Sequence, residues 1–318
     1  MDRLTHLLER RSIRRFKPEP LREGDLERIL AAARRAPTDA SGQLYSIMRV
    51  TDPELRRALA QLAGGQAHVA QAAEFFVPLA DVHRLKRLLA HRGQEMARWP
   101  RTGLHFALVD ATLAGAHLAV AAEALGYGIC WIGGLLNRPR EVARMLELPP
   151  GVVPVSGLVV GVPAEDPPLR PRLPEALVVH ENRYHGYTPA DLDAAYAAMA
   201  PASRRGDWLF VLERYFAAGG AMEDRDPAYG HLLAWQGFVA DWPPTAARAL
   251  EDAGLPAPSL GEALEAVLKT GWRGVLFGRE GAGWRVWLER ETAAERGEGR
   301  TPGEALGRAA ETALASDG

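Results

Sequence analysis

The chain has 318 residues, 47% hydrophobic and 25% charged, a balance that fits a soluble globular protein of one large domain or two ordinary ones. Its formal net charge of −2 supplies no global basic field for nucleic acid. A single cysteine, Cys130, excludes an intrachain disulfide and a cysteine metal cage, and the charged opening residues lack the apolar run of a secretory signal, which sets the expectation of a cytoplasmic protein.

Residues 1–9 read as a helix that ends in a basic loop, Arg10-Arg11-Ser12-Ile13-Arg14-Arg15-Phe16. Leu26, Ile29, Leu30 and Ala33 recur at helical spacing over residues 22–35, and turn residues at 36–42 break the pattern. Residues 45–51 alternate and favour a strand. Asp52-Pro53-Glu54 opens a helix, with proline just inside its start. The loop Gly64-Gly65-Gln66 precedes a short helix at 68–73, a strand at 75–81 and a helix with a basic face at 82–99. Residues 106–126 form the longest apolar stretch, rich in Ala and Gly. Asp110, His117 and Glu123 interrupt it, too many polar groups for a lipid-facing span. Apolar nearly all round, it is expected to be buried on every side, against its own domain and a second subunit. A strand at 127–135 runs into Gly133-Gly134, a helix follows at 139–146, and residues 153–162 form one continuous apolar strand. Cys130 sits in an apolar run and reads as an inert core thiol.

The character changes after about residue 217, and Gly219-Gly220 marks a break. Two domains are expected, 1–217 and a small α+β domain at 218–318 that carries Trp235, Trp242, Trp272, Trp284 and Trp287. Within it helices are expected at 246–253 and 260–269, and strands at 273–277 and 284–290 around a Gly-rich hairpin turn at 278–283. A charged linker at 296–300 leads to a last helix ending near residue 314. The tail is not strongly basic, which argues against nucleic acid and for a capping or oligomer-extending role.

No dinucleotide-binding glycine fingerprint follows a strand, and the sequence carries no phosphate-loop motif, HExxH or GxSxG. What it does carry is an ordered set: RRSIRRF at 10–16, APTDASGQ at 36–43, GGQAHVAQAAEF at 64–75, GYGICWIGG at 126–134 and RPRLP at 170–174. Together these resemble the nitroreductase family, specifically its oxygen-insensitive NADPH nitroreductase and flavin reductase P branch, over about residues 1–217. The resemblance implies an α+β fold with a mostly antiparallel central sheet flanked by helices. It also implies a homodimer formed through the long central helix, with FMN at the interface. The implied activity is a ping-pong cycle in which NADPH reduces FMN and a nitroaromatic, quinone or free flavin then takes two electrons.

The same resemblance assigns residues. Arg10, Arg11 and Ser12 fall in the phosphate loop, and Arg170 and Arg172 in a distal clamp. Guanidinium forks suit phosphate because they keep their charge and bind its oxygens two at a time. Arg10 and Arg170 stand where relatives often carry His and Lys. Arg14 matches the cation beside the flavin pyrimidine edge, where negative charge gathers on reduction. Gln66 matches a ring contact. Ile132, Gly133 and Gly134 match backbone lying against the ring, where a Cβ at either glycine is expected to clash. Thr38 and Gln43 fall in a loop near the ribityl chain, although Asp39 departs from the family pattern. His68 is a candidate assisting residue with Arg14, and Arg204 and Arg205 match a segment reading the NADPH 2′-phosphate. Neither a metal nor a protein general acid is implied. A second class of function stays open: a non-catalytic FMN-binding sensor or storage protein whose tail binds a partner.

Overall fold

The computed structural model describes residues 4–238 and the backbone of three strands between 274 and 299. The chain divides into two units, one of Met1–Asp81, Phe106–Leu148 and Val153–Gly230, the other of Val82–His105, Pro149–Val152 and His231–Gly318.

The first unit is built on a sheet of β1 (Tyr45–Arg49), β2 (Glu74–Asp81), β3 (Gly128–Ile132), β4 (Val152–Pro154) and β5 (Gly157–Gly161). The order is β1-β2-β5-β3, with every pairing along that path antiparallel and β4 beside β2. The single strand expected at 153–162 is therefore two strands broken at Val155 and Ser156. The apolar run reports the burial of the two strands, and Val155 and Ser156 between them are only half-buried.

The helices are α1 (Thr5–Leu8), α2 (Asp25–Ala33), α3 (Pro53–Leu62), α4 (Ala67–Gln71), α5 (His83–His91), α6 (Pro100–Ala124), α7 (Pro139–Met145), α8 (Pro189–Met199), α9 (Leu209–Tyr215) and α10 (Ala221–Gln236). Asp52 caps α3, its Oδ1 accepting from the backbone N–H of Glu54 at 2.8 Å. The helix expected at 82–99 stops at His91, and α6 starts at Pro100, which needs no N–H in a first turn.

Ile29 and Ala33 of α2, and Leu118 and Ala122 of α6, pack on Phe76, Ile129, Leu158 and Val160 of the sheet. Fully burying the larger of these side chains, the alanines aside, contributes about 1.5–3 kcal/mol each. By length and composition α6 would suffice to cross a membrane. Its Asp110 is 1% exposed and bonded to the protein's own backbone, as expected of a core helix. The expected burial on every side is not met within one chain, because Val109, Thr112, His117 and Val120 are exposed on α6.

The turn from α6 into β3 is tied to the start of α2 by a buried carboxylate. Tyr127 Oη donates to Asp25 Oδ2 at 2.8 Å, as does Arg22 Nε at 2.8 Å, while Arg28 Nη1 donates to Oδ1 at 3.0 Å. The Arg22 guanidinium, followed by the Tyr127 hydroxyl, holds the Asp25 carboxyl below the usual carboxylate range. A depressed pKa means the folded state binds that proton less tightly than the unfolded chain. The stabilisation is therefore present above the unfolded pKa and lost as pH falls through the folded one. Asp25→Asn should lower Tm at neutral pH, and the gap from wild type should close below about pH 4 in thermal melts.

In the C-terminal region β6 (Gly274–Glu280), β7 (Gly283–Arg290) and β8 (Ala293–Gly299) form an antiparallel sheet in that order. The register runs from Gly274 opposite Glu289 to Glu280 opposite Gly283. The two expected strands pair as a hairpin and are longer than expected. The expected linker at 296–300 is corrected, since residues 293–299 form β8. The helices expected at 246–253, at 260–269 and up to residue 314 lie outside the described residues.

Candidate functional site

The basic segment at 10–17 is laid along the sheet by backbone bonds. Ile13 N donates to Ile129 O at 2.9 Å, Lys17 N to Val162 O at 2.9 Å, and Ala164 N to Arg15 O at 2.9 Å. A Cβ on Gly128 would stand 2.7 Å from Ile13 Cγ1, and one on Gly161 would stand 2.9 Å from Phe16 Cδ1, so glycine at both strand positions permits this close approach. Successive side chains of an extended segment alternate, so Ile13, buried in the core, turns Ser12 and Arg14 the other way. The Glu165 carboxylate completes the anchorage. Its Oε1 accepts from Arg14 N at 2.5 Å and Arg15 N at 3.0 Å, and its Oε2 from Arg15 Nε at 3.0 Å. These bonds, the Arg14 N–H first among them, pull the Glu165 pKa down.

Three stretches far apart in sequence then close on one cavity of about 420 Å³. Arg10, Arg11, Ser12 and Arg14 form one wall, Arg170 and Arg172 a second, and Ser203 and Arg204 a third. Prolines 167, 168, 171 and 201 stiffen the loops between them. Among the described residues six guanidinium groups line the cavity and no carboxylate does, so its field suits an anion. Arg10 Nη2 donates to Ser12 Oγ at 3.2 Å, and Arg10 Nε lies 3.8 Å from Glu123 Oε1. Arg170 Nη1 donates to Ala202 O at 3.3 Å, and Arg172 Nη1 to Pro171 O at 3.0 Å. Arg11 Nε is buried with no hydrogen-bond acceptor. Its 3.4 Å approach to Asp166 Oδ1 is charge proximity without hydrogen-bond geometry.

Behind this wall lie His68 and Cys130, both buried. Burial, and then the charge of Arg14, push the His68 pKa down, so the ring is neutral at neutral pH. Its Nε2 is buried and unbonded. Burial pushes the Cys130 thiol up, in keeping with an unreactive core residue.

The remaining expected residues lie elsewhere than in this cavity. Gln66 Nε2 donates to Ala63 O at 2.8 Å. A Cβ on Gly134 would stand 2.4 Å from that same carbonyl and 2.6 Å from Gln66 Nε2, so the glycine lets the turn after β3 rest on the loop before α4. No atom of the described residues lies within 4 Å of a Cβ built on Gly133, so the clash expected there does not come from them. The Ile132 side chain is fully buried, which leaves only its backbone for a ligand. Thr38 is half-buried and Gln43 exposed, in a loop fixed by Asp110. Asp110 Oδ1 accepts from Asp39 N at 3.0 Å and Oδ2 from Leu44 N at 2.8 Å. Arg204 lines the basic cavity, but Arg205 is stacked over the Phe210 ring, 4.1 Å from its centre. Sequence reasoning did not single out Glu165 or Glu123 as supports of the site. Each acts on an arginine more than a hundred residues away, and no local spacing signals it.

Comparisons with known proteins converge. The nitroreductase family profile matches residues 7–162. The chain is 45% identical over 174 residues to an oxygen-insensitive NADPH nitroreductase of Salmonella typhimurium, covering 55% of this chain and 71% of that one. It is 39% identical over 181 residues to an FMN reductase (NADPH) of Bacillus subtilis, covering 56% and 73%. Among solved structures, the NADPH:FMN oxidoreductase of Vibrio harveyi in complex with NAD+ matches with a TM-score of 0.63 and 31% identity, over 72% of this chain and 96% of that one.

Proposed function

This chain belongs to the nitroreductase family, and from that premise we propose that it is an FMN-dependent oxidoreductase moving two electrons from NADPH to a small acceptor. The observation that carries the reading is the cavity lined, among the described residues, by six arginines and no carboxylate. A flavin phosphate is the anion that fits both this chemistry and the relatives. FMN, when bound, supplies the two-electron chemistry between nicotinamide and acceptor. The chain's part is to seat and orient it. Arg10, Arg11, Ser12, Arg170 and Arg172 hold the phosphate, while Arg14, its backbone fixed by Glu165, sets a permanent positive charge at the same wall. His68, neutral and unable to reprotonate readily, lends the wall a polar atom without adding charge. Gln66 and the backbone of Ile132, Gly133 and Gly134 border the flavin ring, and Thr38 and Gln43 its ribityl side.

Donor and acceptor use the site in turn, a ping-pong order, with nitroaromatics, quinones or free flavin as acceptors. The working unit is a cytoplasmic homodimer with FMN at its interface. The exposed apolar residues Val109 and Val120 on α6 support this. Residues 1–217 are proposed to carry the chemistry and the chain from 218 onward to be an appendage to it, although by compactness the first unit runs on to Gly230. Steady-state rates at varied NADPH and quinone should give parallel double-reciprocal lines, and intersecting lines would contradict the order proposed.

Arg204 and Arg205 are proposed to read the NADPH 2′-phosphate. Replacing both by alanine should raise the KM for NADPH about tenfold or more and leave that for NADH nearly unchanged, since a charge-assisted bond contributes about 1.5–3 kcal/mol. Equal changes for the two nucleotides would remove this assignment.

A further inference from the structure

Glu123 occupies the last turn of α6, where the helix dipole disfavours a carboxylate. Its side chain is 10% exposed. Burial drives its pKa up to about 7, and the charge of Arg10 pulls against that rise. A buried carboxylate in such a place adds little to stability by itself. Its geometry suggests another role. The Nε edge of Arg10 faces Glu123 Oε1 at 3.8 Å, and Arg10 Nη2 donates to Ser12 Oγ at 3.2 Å. Ser12 is itself fixed, because the next residue is bonded to Ile129 of β3. The guanidinium thus meets a carboxylate on the end of α6 by charge and a hydroxyl on the extended segment at 10–17 by a hydrogen bond, while Arg10 lines the basic cavity. A guanidinium has five N–H donors, so these two contacts leave donors for a ligand.

We propose that Glu123 is a positioning residue for the phosphate: it fixes the orientation of Arg10 and thereby sharpens the preference for flavin carrying a phosphate over flavin lacking one. This rests on the FMN reading above. Holding a long side chain in its bound conformation before the ligand arrives removes an ordering cost that would otherwise fall on binding.

The test is a fluorescence titration of the full chain, stripped of flavin, with FMN and with riboflavin at about pH 8, where the Glu123 carboxyl is mostly ionised. The readout is the ratio of riboflavin Kd to FMN Kd, which a merely structural role would leave alone because both ligands share the ring. Glu123→Ala should lower the ratio by about two- to tenfold. Glu123→Gln, which keeps the shape and loses the charge, should lower it in the same direction and serves if the alanine variant fails to fold. In an Arg10→Ala background, Glu123→Ala should change nothing further. An unchanged ratio in both single variants overturns the proposal, as does an equal fall with Arg10 already absent. A wild-type chain that binds riboflavin as tightly as FMN overturns the phosphate reading itself, so the two failures are distinguishable.

Discussion

A chain carrying Arg10→Ala and Arg172→Ala should fold and yet fail to keep FMN through gel filtration. The two side chains stand on opposite walls of the basic cavity and come from stretches joined only through the fold. Each charge-assisted bond to a phosphate contributes about 1.5–3 kcal/mol. Losing one from each wall should weaken binding by about a hundred- to ten-thousandfold if the two act independently. The fold should tolerate the change. Arg172 is exposed, and its Nη1 donates only to the neighbouring carbonyls of Arg170 and Pro171. Arg10 leaves Glu123 behind, but that carboxyl already titrates near neutrality and can take up a proton when its partner goes. Circular dichroism would confirm the fold, and fluorescence of the eluted protein would report the flavin. Retention at the wild-type level would remove the two-walled phosphate site.

The second large effect concerns stability. Asp110→Ala should lower Tm by on the order of 10 °C in thermal unfolding followed by circular dichroism. The carboxylate is 1% exposed and accepts one backbone N–H on each oxygen, from Asp39 and Leu44. Alanine would leave the buried Leu44 N–H without a partner, at about 1–3 kcal/mol, and would free the half-buried Asp39 N–H at a smaller cost. Asp110→Asn keeps the shape and one acceptor oxygen, and its cost should be about half. The loop in question holds Thr38 and Gln43, so the alanine variant should also loosen whatever those residues contact. A Tm within about 2 °C of wild type would show that the loop is fixed by other means.

These residues also show how far the sequence could be read. Arg10, Arg11, Ser12, Arg14, Arg170 and Arg172 were placed together by ordered motifs, and the fold gathers them around one cavity. The strands with marked alternation or apolar runs, β1 and β2, lie where the pattern put them, whereas β3 ends at Ile132 and the last residues of the strand expected at 127–135 turn into a short 3-10 helix, Gly133–Asn137. The break between β4 and β5 was invisible, because both sides of it are equally apolar and equally buried. β8 was taken for a linker since Ala293-Ala294-Glu295-Arg296-Gly297-Glu298-Gly299 has no β-branched residue, and its pairing with β7 supplies what its composition does not. α8 was not anticipated, although a capping box marks its start: Thr188 Oγ1 accepts from Asp191 N while the Asp191 carboxylate accepts from Thr188 N, with Pro189 at the first position. The supports of the site were the hardest to see. Glu165 reaches Arg14 and Glu123 reaches Arg10 only after the chain has folded, and no periodicity encodes a contact between residues so distant in sequence.

The central claim is that this cavity seats a flavin phosphate in a working redox enzyme, and it meets its most direct test in an anaerobic titration of the flavin-loaded chain with NADPH, followed by addition of a quinone. One equivalent of NADPH should bleach the bound FMN, and the quinone should restore its colour. A flavin spectrum unmoved by NADPH, or a purified chain that takes up no FMN, would contradict it.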